Sequence, residues 1–322
     1  MEAVYAASFS SDDPLSGLVV GDLPEPEVPE GWVAVDVKAA TLNHHDLGTL
    51  RGVGITEDRL PMILGCDAAG ISADGRDVIV HAVIGNPASG GGDETLDPKR
   101  SLLSEVYPGT FAARVAVPER NLVSKPASLS WAEAACLPTA WLTAYRMLTT
   151  RGRLQPGETV LVQGAGGGVA TALIQLGGAL GLRVWTTSRD EEKRQRSLDL
   201  GAEQAFETGA RLPDRVDAVM ETVGQATWSH SLKALRPGGR IVVSGATSGM
   251  NPPADLARIF FLQLSVIGST MGTREELESL IALLDSTGVR PPIAAEMPMA
   301  QARDAFEALQ AGDVFGKLVL TR

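Results

Sequence analysis

"VLVQGAGGGVATALIQLGGALG", residues 160–181, passes from an apolar, β-branched run through a cluster of glycines into a helical pattern. A strand that feeds a helix through such a turn lets the backbone approach a pyrophosphate closely, because no side chain intervenes. The helix N-terminus beyond it offers unpaired N–H groups and the positive end of a dipole. Gly164, Ala165, Gly167, Gly168 and Val169 are therefore expected to form a phosphate cradle. The alternation continues outward: strand "RVWTTS", helix "DEEKRQRSLDLG", strand "VDAVMETVG", helix "ATWSHSLKAL", strand "GRIVVSGA". Strands alternating with amphipathic helices predict right-handed crossovers and a parallel sheet buried on both faces, an α/β class. "LSVIGST" (264–270) reads as the last strand of that sheet.

The residues at the end of the second strand select the nucleotide. An acidic residue there suits an unphosphorylated ribose, whereas hydroxyls and cations suit a 2′-phosphate. The chain reads "TTSRDEEK", with Thr187, Ser188 and Arg189 first and Lys193 one turn into the helix. NADP(H) is favoured over NAD, with Asp190 as the competing acidic residue.

Upstream, "WVAVDVKAA" (32–40), "DVIVHAVI" (77–84) and "FAARVAVP" (111–118) alternate with period two between Gly, Pro and Asp, and predict a mostly β lobe. Residues 85–101 lack periodicity and read as a loop. Ser130 followed by Glu133 is a capping-box signature opening a helical stretch. Two helical patterns, "REELESLIALLDSTG" and "MAQARDAFEALQAG", and a strand "GKLVLTR" close the chain. Hydrophobic residues make up 44% and charged residues 21%, an ordinary globular composition. A formal charge of -11 spread along the chain argues against nucleic acid as a partner. No apolar run is long enough to span a membrane. The start lacks a secretory pattern, and two cysteines cannot build a disulfide framework, so a cytoplasmic location is expected.

Taken in order, "VAVDVKAATLNHHDL", "LGCDAAG", "ACLPTAWLTAY", "LVQGAGGGVA", "LRPGGRIVVSGATSG", "LSVIGSTMG" and "FGKLVL" resemble the medium-chain dehydrogenase/reductase superfamily, within it the zinc-free quinone-oxidoreductase-like branch. The resemblance covers nearly the whole chain. It implies a GroES-like β-rich catalytic domain (1–124 and 270–322), a Rossmann domain (125–269), and hydride transfer where the two meet. The fingerprint positions fall on Ala165, Gly167 and Ala170, and alanine at the first is similar to the zinc-free branch.

The same resemblance places the family's catalytic zinc ligands on Asn43, Cys66 and Thr139. One thiol beside an amide and a hydroxyl does not make a tetrahedral zinc site, so no metal is expected. Cys66 then reads as a small buried residue at a lost metal position, with a nucleophilic role needing a neighbouring base. Catalysis falls to Asn43 as a polariser of the substrate oxygen, His45 as proton donor, and Asp46 as the group orienting a histidine. The cofactor contacts implied are His44, Thr143, Gly224, Gly245, Ala246, Gly268, Ser269 and Thr270, with Lys317 either close to the cofactor or on the surface. Gly48 stands where many quinone reductases of this family carry tyrosine, so a more open pocket is expected.

The expected function is NADPH-dependent reduction of a quinone, enone or other activated carbonyl or alkene. The alternatives are a zinc-free alcohol dehydrogenase on a simple carbonyl, or a weakly active NADP(H)-binding sensor or structural protein. A small molecule is the expected substrate. An apolar edge strand at 264–270 suggests a homodimer, or a tetramer built from such dimers.

Overall fold

Residues 159–268 carry one six-stranded, all-parallel sheet, seen in a computed structural model that describes residues 1–322. Its strands run Gln204–Phe206, Arg183–Thr187, Thr159–Val162, Val216–Glu221, Leu235–Val243 and Ser265–Gly268 across the sheet. Numbered along the chain this is 3-2-1-4-5-6, the order of doubly wound dinucleotide-binding sheets, with its switch point beside the first strand. Val160, Leu161 and Val162 are buried because helices cover both faces, which is why this strand reads as a continuous apolar run. Leu161, Trp185, Val219, Trp228 and Ile241 form the core of this Rossmann unit. The strand Gln204–Phe206 was not expected: it is three residues long, half-buried, and too short for a period to show.

The chain divides into two units. One comprises Met1–Ala140, Met271–Asp285 and Arg290–Arg322, and the other Trp141–Thr270 with Ser286–Val289. The first boundary lies beyond the expected 124/125. The cause is the helix Trp131–Ala135, which packs on the strands Trp32–Thr41 and Asp67–Ser72 of the first unit. Its capping box is present: Glu133 N donates to Ser130 Oγ, and Ser130 N to Glu133 Oε2. The stretch read as one helix is broken, with wide π turns at Leu137–Trp141 and Met147–Arg151.

The first unit is the GroES-like β lobe. Its long strand Trp32–Thr41 lies between Asp67–Ser72 and Lys317–Thr321 and also pairs with Arg114–Pro118. The expected strand 77–84 is interrupted at His81, leaving Asp77–Val80 and Val83–Ile84 in different sheets. Val35, Val37, Leu64, Phe111, Val115 and Phe306 anchor the core. The antiparallel pairing of Thr41 with both Asp67 and Val319 brings three distant segments to one point, and there the polar residues gather.

Candidate active site

At that point the strand Trp32–Thr41 gives way to the short helix His44–Leu50. Asp46 accepts from Asn43 N at 2.7 Å and from Gly65 N at 3.1 Å, so it caps the helix and ties it to the Cys66 segment. It thus hydrogen-bonds backbone rather than either imidazole. Burial is the main cause that pushes its pKa up to about 6, opposed by the charge of His45.

Asn43 is held from both ends. Lys317 Nζ donates to its Oδ1 at 2.7 Å and to Leu42 O at 2.7 Å. Asn43 Nδ2 donates to Asp67 Oδ2 at 2.8 Å and, over a longer 3.4 Å, to Thr41 O. Thr41 Oγ1 also donates to Asp67 Oδ2, while Asp67 Oδ1 is buried with no partner. Lys317 is only 3% exposed, so it is no surface lysine. Removing one member of such a buried charged set leaves the other unpaired, a loss of about 3–5 kcal/mol.

His45 reaches away from this group. Its Nε2 meets Glu105 Oε1 at 3.1 Å, and its Nδ1 faces Cys66 Sγ at 3.3 Å and Ser104 Oγ at 3.5 Å. Burial alone would lower the His45 pKa. The contacts with Cys66 and Glu105, and the nearby charge of Asp46, outweigh it and raise the value well above 6.5. Burial raises the Cys66 thiol, which donates to Leu103 O at 3.2 Å. Cys66 is fully buried, as the sequence suggested, yet it has the neighbouring base that a reactive thiol would need. His44 points out and is exposed.

The other unit carries the cradle. Gly164 and Gly166 adopt φ of 79° and 113°. Gly167 is the N-cap of the helix Gly168–Ala179, makes no side-chain cap bond, and faces open space where a Cβ would stand. The first-turn N–H groups of this helix thus have no capping side chain, as an anion site requires. Ala165 is buried beneath them, and Gly168 and Val169 are half-buried. Ser188 is buried and Arg189 exposed; Ser188 Oγ accepts from Asp190 N at 3.2 Å. Asp190 itself caps the helix Glu191–Asp199 by accepting from Lys193 N at 3.1 Å. Arg194 Nη1 donates to Ser188 O and Arg189 O, adding a guanidinium that the sequence did not single out.

Gly224 (φ 89°) is buried against the 244–249 turn, and Gly245 lies over Thr222. Ala246 is half-buried in the same turn. Thr143 is buried, and Gly268 accepts from Arg151 Nε at 2.8 Å. Ser269 N donates to Val243 O while its Oγ is buried without a partner, and Thr270 is exposed.

Three further residues join the site without having been expected there: Asp67, Ser104 and Glu105. Asp67 stands directly after Cys66 in "LGCDAAG", where its acidity was the available signal. Ser104 and Glu105 lie just past the aperiodic 85–101 stretch, which carries no signal.

A Rossmann unit with an open glycine cradle, joined in one chain to a GroES-like lobe with a buried polar cluster, defines a pyridine-nucleotide oxidoreductase. Residues 29–127 match the family described as alcohol dehydrogenase GroES-like domain, and residues 168–286 the one described as zinc-binding dehydrogenase. The chain is 31% identical over 307 residues to 2-methylene-furan-3-one reductase of Solanum lycopersicum, covering 92% of this chain and 73% of that one. It is 28% identical to acryloyl-coenzyme A reductase of Metallosphaera sedula, covering 95% and 96%. The crystal structure of an NAD-dependent alcohol dehydrogenase superposes with a TM-score of 0.91 at 32% identity, covering 100% of both chains. The chain belongs to the medium-chain dehydrogenase/reductase family.

A zinc-binding family raises the question of metal. His45, Asp46 and Cys66 bring ligand atoms within 4.8 Å of one another. Both Asp46 oxygens, however, serve backbone N–H groups, and Asn43 Oδ1 accepts from an ammonium, which a nearby cation would oppose. This donor set does not suit a tetrahedral catalytic zinc. No helix is long and apolar enough to cross a membrane.

Proposed function

We propose that the protein is an NADPH-dependent reductase of activated double bonds or carbonyls, such as enones and quinones, and that it works without zinc. The observation that carries this reading is the Lys317 ammonium on Asn43 Oδ1, at the position where the family resemblance places a zinc ligand. The names of the tomato and Metallosphaera relatives support the substrate class. For the nucleotide, Asp190 spends its carboxylate on a helix cap, while Arg189 and Lys193 follow Ser188 in the chain.

The phosphate cradle would hold the pyrophosphate, and Ser188, Arg189 and Lys193 the 2′-phosphate. When bound, the nicotinamide supplies the hydride. Asn43 is held rigid by Lys317 and Asp67, and its loosely held second proton, 3.4 Å from Thr41 O, is the one to redirect to a developing oxyanion. His45, hydrogen-bonded to Glu105, gives a proton to the enolate carbon or the oxygen that hydride addition leaves negative.

The name of the structural neighbour, an NAD-dependent alcohol dehydrogenase, favours a second reading, oxidoreduction of a simple alcohol or carbonyl with NAD. A panel of enones, quinones, aldehydes and alcohols, monitored by cofactor absorbance with NADPH and NADH, separates the two. NADPH is expected to bind at least about tenfold tighter. Arg189→Ala should remove much of that gap, since a charge-assisted bond contributes roughly 1.5–3 kcal/mol. Equal affinity for the two nucleotides, or turnover of simple alcohols alone, would refute the proposal.

A further inference from the structure

Beneath the cradle lies a buried chain of polar side chains. Gln163, Thr187, Glu221 and Ser231 are all fully buried, and Thr227 nearly so. Thr187 Oγ1 donates to Gln163 Oε1 at 2.7 Å. Gln163 Nε2 reaches His230 Nδ1 at 2.9 Å and Ser231 Oγ at 3.0 Å. Ser231 Oγ donates to Glu221 Oε2 at 2.6 Å, and Thr227 Oγ1 lies 2.9 Å from both Glu221 oxygens. Glu221 Oε1 also accepts from Val223 N and Gly224 N, each at 2.9 Å.

From Glu221 to Thr187 only one arrangement of protons satisfies the chain, while Thr227 can donate to either Glu221 oxygen or to Gly224 O. Glu221 as a carboxylate can only accept, so Ser231 must spend its hydrogen there and take one from Gln163. Gln163 must therefore present its NH2 to Ser231 and His230, and its oxygen to Thr187. His230 Nδ1 is then an acceptor, and its Nε2–H donates to Ala210 O at 2.9 Å. A network satisfied in one way only is rigid, because any shift leaves a buried polar group unpaired.

The chain joins the C-terminal ends of three strands, and each end carries a turn implicated in nucleotide binding. Thr187 closes the second strand directly before Ser188 and Arg189; its carbonyl accepts from Ala165 N at 2.8 Å and its hydroxyl from Gly164 N at 3.4 Å. Gln163 directly follows the first strand and precedes the cradle, and Glu221 closes the fourth and clamps the turn to Gly224.

We propose that Gln163 is a positioning residue for nucleotide selection. By fixing Thr187 relative to Glu221, it sets the Ser188–Arg189 turn in register with the phosphate cradle. This inference rests on the reading that Ser188 and Arg189 meet a 2′-phosphate. The cradle contacts serve both nucleotides, whereas those two residues serve only the phosphorylated one. Loosening the chain should therefore weaken NADPH more than NADH.

The test measures Kd for NADPH and NADH by titration calorimetry on the full chain, with thermal melting as a fold control. Thr187→Val keeps the shape and deletes the hydroxyl; it should lower the NADPH-over-NADH preference at least about threefold, with most of the change in the NADPH arm. Thr187→Ser, which restores a hydroxyl, should return to near the wild-type ratio. Gln163→Met serves as a second variant should Thr187→Val not fold, with the same expected fall. A merely structural role would weaken both nucleotides in parallel, and an unchanged ratio or parallel losses would overturn the inference. A wild-type chain without NADPH preference would remove its premise, and that outcome is visible before any variant is made.

Discussion

Both ring nitrogens of His45 are occupied, by partners of different strength. A carboxylate on Nε2 favours the imidazolium strongly, whereas a thiol and a hydroxyl on Nδ1 are weak acceptors. The proton facing Cys66 and Ser104 is therefore the one most easily given up. Glu105→Gln should bring the His45 pKa down, because one of the contacts that offset its burial loses its charge. Histidine-selective NMR titration reads this without any substrate, and an unmoved value would remove Glu105 from the site. Linkage gives the sign for stability. A raised histidine pKa stabilises the fold fully below the unfolded value of about 6.5, and this contribution is lost as pH rises through the folded value. Glu105→Gln should accordingly destabilise more at pH 6 than at pH 9.

Among the elements, the turns at the strand ends hold the nucleotide loops, and Gly224 shows how closely they pack. A Cβ at Gly224 would lie 2.6 Å from Gly249 O and 2.8 Å from Ala246 Cα, both backbone atoms that cannot swing aside. Gly209 has nearly the same φ, 84° against 89°, but open space around it. Alanine at Gly209 should cost only the strain of a left-handed backbone, roughly 1 kcal/mol. Alanine at Gly224 should add the clash and exceed that by at least about 2 kcal/mol in urea unfolding, with weaker binding of both nucleotides. Similar losses at the two sites would mean that the 221–224 and 244–249 turns are not packed as described.

For the whole molecule, the edge of the parallel sheet formed by its last strand lies open. Ser265–Gly268 pairs on one side only, with Leu235–Val243, and Val266 is 48% exposed. Leu256, Phe260 and Phe261 stand exposed on the helix just before it, Phe261 at 78%. An unpaired edge flanked by aromatic side chains invites a second copy, since joining two edges satisfies backbone groups and buries the rings together. We propose a homodimer through this edge, or a tetramer of such dimers. Light scattering at micromolar concentration should report at least twice the chain mass, and Val266→Lys should shift it toward the monomer. A monomeric wild type would discard the proposal.

The parallel strand–helix alternation of the Rossmann unit and its glycine turn were legible along the chain because they arise from local periodicity and from glycines adjacent in sequence, whereas the short strand Gln204–Phe206 and the strand order were not. The capping box at Ser130 was legible for the same reason: its two residues are three apart. Lys317 was ambiguous and Glu105 invisible, because their partners are hundreds and tens of residues away. Antiparallel register alone sets Thr41 opposite both Asp67 and Val319, and so gathers Asn43, Asp67 and Lys317. Residue types along the chain could say that Cys66 would be small and buried. Whether a histidine stood beside it was decided only when the register of Thr41 opposite Asp67 brought the Cys66 segment to the helix carrying His45, since a hydrogen bond needs distance and direction, and neither is encoded in spacing.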